Sequence, residues 1–115
     1  MKLADLVERL SIDPRKLTQY ALNPNSPHGR HKAVLFEQLL GFTQNNYAGL
    51  MDQLEQRCLH AEATFHSKDE FGRRYTVDVL IDGTTGQQAT VRTGWIVPAN
   101  EATVAHLVTL YVKEG

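Results

Sequence analysis

The chain has 115 residues, with 12 Lys and Arg against 13 Asp and Glu and a formal charge of −1, so it lacks the whole-chain basic field of a dedicated nucleic-acid domain. Its hydrophobic share of 42% contains no run of the ~18–20 apolar residues a membrane span needs, and a single cysteine, Cys58, excludes an intramolecular disulfide framework and a Cys-rich zinc site. One domain over 1–115 is the expectation at this length, helical over about 1–59 and sheet-forming over about 60–115. The opening Met-Lys-Leu-Ala-Asp-Leu-Val-Glu does not read as a secretory leader, so a cytoplasmic, reducing setting is expected.

Asp13-Pro14 reads as a helix start, with Asp as the cap and Pro in the first turn. Leu17, Tyr20 and Ala21 then share a face until Asn23-Pro24 ends the segment. A second helix starts at Ser26-Pro27 or just after Gly29, runs through Ala33–Leu40 and stops at Gly41 in the usual glycine C-terminal position. Tyr47, Leu50, Met51, Leu54 and Cys58 form one stripe, which predicts a third helix from Asn45 or Asn46 with Cys58 as a buried thiol.

After His60 the period changes to two. Strands are predicted through Ala61-Ala63-Phe65, Tyr75–Ile81, Ala89–Val97 and Val104–Val112, joined by turn compositions at Lys68–Gly72, Asp82–Gly86 and Pro98–Glu101. The expected fold is therefore α+β: two to three N-terminal helices packed on one face of a four-stranded antiparallel meander, with the other face partly open to a ligand. Val104, His106, Val108, Leu110 and Val112 are read as one apolar side of the last strand. Trp95 reads as core, between Val91 and Val97 on its face.

Charge is distributed unevenly. From Pro14 to Phe36 the chain carries Arg15, Lys16, Arg30 and Lys32 and no acid, so this segment is +4 while the rest carries the compensating acids. Its centre, Asn25–Lys32, lies at a helix start, where free N–H groups and the helix dipole favour anions. Ser26, Arg30 and Lys32 are the phosphate-binding candidates, and His28 or His31 the proton-transfer group, because histidine titrates near neutrality. The same residues also read as a solvated helix start. On the sheet, Arg92 is placed on the face that carries Thr76, Asp78 and Thr109, a polar cleft in which Arg92 either acts on substrate or pairs with Asp78. Phosphate-loop, dinucleotide and His-Glu-x-x-His motifs are absent from the sequence, so neither a metal nor a cofactor is expected.

The segments Lys16-Leu17-Thr18-Gln19-Tyr20-Ala21-Leu22-Asn23-Pro24, Gly29-Arg30-His31-Lys32-Ala33, Leu40-Gly41-Phe42, Trp95-Ile96-Val97 and Leu107-Val108-Thr109 resemble a bacterial family of domains of unknown function, over about Ile12 to Val112. That family is similar, in its order of helices followed by a meander, to the barnase, EndoU, colicin and RelE-like metal-independent ribonucleases, many of them toxins restrained by an immunity protein or antitoxin. The resemblance implies RNA and such a protein as partners, with His31 or His28, Lys32, Arg92 and Thr109 as the catalytic set. Ser26 stands where the family pattern has histidine, and Ala105-His106 where it has Pro-Arg. The rival expectation is a non-enzymatic protein-binding or immunity-like module.

Overall fold

The computed structural model describes residues 1–114. Its sheet has five strands: β1 (Arg9–Ser11), β2 (Ala63–Asp69), β3 (Gly72–Asp82), β4 (Gln88–Pro98) and β5 (Val104–Val112), in the spatial order β1-β5-β4-β3-β2. The last four form the predicted antiparallel meander. The expectation of four strands is corrected by β1, which pairs parallel to β5 at Val104–His106. Three residues are too few to display an alternating pattern, and β1 exists because β5 presents it with an edge to pair.

Two regular helices, α1 (Arg30–Leu40) and α2 (Tyr47–Arg57), lie where the stripes predict them. Gly41 ends α1 at φ 76°, with the N–H of Gly41 donating to Glu37 O and that of Phe42 to Phe36 O, a glycine-dependent terminus. The Thr84 N–H, from the β3–β4 hairpin, donates to Leu40 O and ties this helix end to the sheet. Thr43 accepts the Asn45 N–H ahead of α2. The segment after Asp13 forms a wide turn, Leu17–Ala21, closed by an i→i+5 bond from Leu22 N–H to Leu17 O. Such π-type turns are uncommon and recur at functional sites.

Phe36 and Leu40 of α1 and Leu50 and Leu54 of α2, with Cys58, are buried against Val77, Ile81, Val91, Trp95 and Leu110 on one sheet face. Burial pushes the Cys58 thiol up to about 12, so it remains protonated and structural. Thr93 is buried too, and its hydroxyl bridges the interior: it donates to Val77 O at 2.7 Å and accepts from Trp95 Nε1 at 2.7 Å.

Two bulges decide what the other face carries. Gly94 pairs with Thr109 but Trp95 with Leu107, which makes Val108 an extra residue on β5. Leu107 and Leu110 consequently both face the core, whereas His106 lies opposite Ile96 and Val108 is 40% exposed, so neither belongs to the apolar side expected of them. On β2, Phe65 pairs with Tyr75 and Ser67 with Arg74, leaving His66 as the extra residue.

Close packing of α1 onto the wide turn depends on Gly29. A Cβ there would lie 2.0 Å from the Tyr20 carbonyl oxygen and 3.3 Å from Ser26 Oγ. Gly29→Ala is expected to force the two segments apart and to cost about 1–3 kcal/mol, measured as a lower urea midpoint.

Candidate anion-binding groove

The open sheet face is organised in rows. Thr64, Thr76, Gly94 and Thr109 follow one another across β2, β3, β4 and β5. Beside them run Asp78, Arg92 and Tyr111. A groove of about 350 Å³ lies over these rows, lined among others by His66, Arg74, Thr76, Arg92, Thr109 and Tyr111. Gly94 keeps its floor low, since a Cβ there would come within 3.0 Å of the Thr109 methyl.

Because β1 pairs with β5 only at Val104–His106, the outer edge of β5 beyond it is met by the wide turn and by α1. Lys32 reaches Thr109 there: its Nζ donates to Thr109 Oγ1 at 3.1 Å and to the Tyr20 hydroxyl oxygen. The ammonium also lies 4.5 Å from the centre of the Tyr20 ring and 5.6 Å from that of Tyr111. It has no acidic partner among the described residues. Its hydrogen bond, with that from Thr109 second to it, holds the Tyr20 phenol below its ordinary pKa against the opposing effect of burial.

Arg92 forms the ion pair that the register allows, with Nε 2.9 Å from Asp78 Oδ1 and Nη2 3.0 Å from Oδ2. The bidentate contact, followed by the Tyr111 hydroxyl, raises the guanidinium pKa further. Arg92 nonetheless stays 36% exposed on the groove wall, and a pair this open to water contributes at most ~1 kcal/mol to stability. Arg74 is matched by Asp69 through a single contact, Nη1 to Oδ2. Lys32, which reaches the groove through Thr109, is therefore the cation beside it that no carboxylate compensates among the described residues.

The Asp78 carboxyl is held below the usual range, first by its hydrogen bond from Arg92 and then by Lys113. A depressed folded-state pKa contributes stability that is complete above the unfolded value of ~3.9 and is lost as pH falls through the lower folded value. Asp78→Asn is thus expected to flatten part of the fall in urea midpoint below about pH 4, while leaving the neutral-pH slope unchanged.

Of the predicted site residues, Lys32 and Thr109 meet directly, and Arg92 stands on the other side of Tyr111 from Lys32. His28, Arg30 and His31 are exposed at the start of α1 and do not line the groove. Ser26 Oγ accepts the Gly29 N–H at 3.2 Å, which commits it to the turn. His106, paired between Ser11 of β1 and Ile96 of β4, contacts Glu101. Sequence reasoning missed His66, because its place in the groove follows from the β2 bulge, which carries no repeating signal. It also missed the Tyr20 hydroxyl, because the spacing with Leu17 and Ala21 identifies only the ring's face.

The model for the domain of unknown function DUF6883 matches residues 2–114, and the chain belongs to that family. No curated protein sequence matches it. The fold is similar to that of a chain in a contact-dependent growth inhibition toxin–immunity protein complex from Klebsiella pneumoniae 342, with a TM-score of 0.69 at 16% identity over 98% of this chain and 97% of that one. At that identity the likeness is one of fold.

Proposed function

We propose that this domain is the toxin component of a toxin–immunity system and cleaves RNA without a metal. In this reading the RNA's 2′-hydroxyl attacks the adjacent phosphorus, the P–O5′ bond breaks, and a 2′,3′-cyclic phosphate and a 5′-hydroxyl remain. Lys32 carries the proposal: an ammonium with no acid partner among the described residues, fixed by Tyr20 and by Thr109, a residue of the groove lining. Lys32 and Arg92 stabilise the charge that builds on the phosphoryl oxygens, and Thr109 supports Lys32. The 2′-hydroxyl proton passes to solvent in this reading, because His66, although it lines the groove, stands three strands from Thr109, about 14 Å at the usual strand spacing, and His31 and His28 do not line the groove.

The fold shared with a chain of a toxin–immunity complex supports the system-level part of this reading. The test is incubation of purified protein with total tRNA, with Lys32→Ala and Arg92→Ala alongside, followed by identification of the RNA ends. Absence of cleavage, or cleavage untouched by both substitutions, overturns the reading.

One observation favours a second reading, that of an immunity-like or other protein-binding module. Arg92 and Arg74, the arginines on the open face, are each closed by an aspartate, so the groove is less positive than its composition suggests. Expression discriminates between the two. A wild-type chain that is harmless to the producing cell at high yield favours the module, whereas recovery of Lys32→Ala but not of wild type favours the toxin.

A further inference from the structure

We infer that Tyr20 is a catalytic residue of this site, the general acid that protonates the leaving 5′-oxygen; the inference rests on the ribonuclease reading. Lys32 Nζ is a donor only, so its contact with Tyr20 makes the phenolic oxygen an acceptor and leaves the phenolic proton free for another partner. Tyr20 is half-buried and lines a second hollow together with Lys16 and Val108. Val108 also lines the groove that contains Thr109. Because Lys32 Nζ touches both Thr109 Oγ1 and the Tyr20 hydroxyl, a phosphate seated at Lys32 brings a bridging oxygen within reach of that hydroxyl.

The bond changes balance. The 2′-O–H proton goes to solvent, the new O–P bond forms, the P–O5′ bond breaks, and the Tyr20 proton moves to O5′. The phenolate that remains lies against the Lys32 ammonium, which stabilises it until it regains a proton from water. The Lys32 hydrogen bond holds the phenol below its ordinary pKa, which lowers the cost of giving up its proton. The wide turn that carries Tyr20 supplies the geometry: its i→i+5 closure and the close approach at Gly29, three residues before Lys32, fix the tyrosine backbone against the start of α1.

Tyr20→Phe keeps the ring and removes only the hydroxyl. With a short oligoribonucleotide bearing the linkage that wild type cuts in tRNA, the variant is expected to be slower by about 100-fold or more. The second substrate carries sulfur in place of the bridging 5′-oxygen at that linkage. A thiolate leaves without being protonated, so Tyr20→Phe is expected to cleave it at close to the wild-type rate. Equal slowing on both substrates assigns Tyr20 a positioning role and overturns the inference, as does a variant as fast as wild type on oxygen. If the variant does not unfold cooperatively, wild type alone decides: the ratio of sulfur to oxygen rates must rise with pH as the phenol loses its proton, and a flat ratio overturns the inference. A wild type inert toward both substrates and toward tRNA overturns the ribonuclease reading itself.

Discussion

Trp95→Ala is expected to lower the unfolding free energy by about 3–5 kcal/mol, the range for deleting a buried aromatic side chain. The indole is 1% exposed and belongs to the cluster formed by the helices and the sheet. Packing and polarity can be separated at this position. Trp95→Ala removes the ring and leaves the Thr93 hydroxyl bonded to Val77 O, so its cost is a cavity. Thr93→Val keeps the ring but orphans the indole N–H and one partner of Val77 O, for which about 1–3 kcal/mol is expected. Urea unfolding of the two variants and their combination checks this. The double variant is expected to cost less than the sum, because once the indole is gone Thr93→Val no longer strands its N–H.

On the proposed ribonuclease reading, Lys32→Ala is expected to reduce RNA cleavage by about 100- to 1,000-fold, comparable with the loss of one oxyanion donor elsewhere, while changing stability little. The two effects part because Lys32 is half-buried and holds polar partners rather than core side chains. Loss of its ammonium removes the stabilising charge and also the donor that lowers the Tyr20 pKa. Arg92→Ala is expected to fall less far, since Arg92 is already compensated by Asp78. Single-turnover rates of the two variants on the same RNA, with their melting temperatures, check the order. Arg92→Ala more damaging than Lys32→Ala would move the centre of the site toward β4.

The elements with a repeating signal were legible in the sequence. The stripe from Tyr47 to Cys58, Gly41 as a helix end and the alternation from Tyr75 through Val97 each report an environment sampled several times along the chain. The elements that escaped are those with no repeat. Strand β1 is three residues long, and the bulges at His66 and Val108 are single insertions whose existence depends on how a partner strand pairs. The register of Asp78, Arg92 and Thr109 could nevertheless be read, because it lies in the regular part of the meander and on the C-terminal side of the β5 bulge. Lys32 was legible as a charge at a helix start. That it meets Thr109, 77 positions away, follows from how the helical segment closes the edge of β5.

Strand β5 lies between β1 and β4, although it is the last of the five to be synthesised. A nascent chain can pair β2, β3 and β4 through local hairpins, but β1 has no neighbour and Lys32 no Thr109 until β5 is inserted. Loop closure between segments this far apart is the slow, entropically costly part of folding. The Lys32–Thr109 contact therefore cannot form before β5 has joined the sheet.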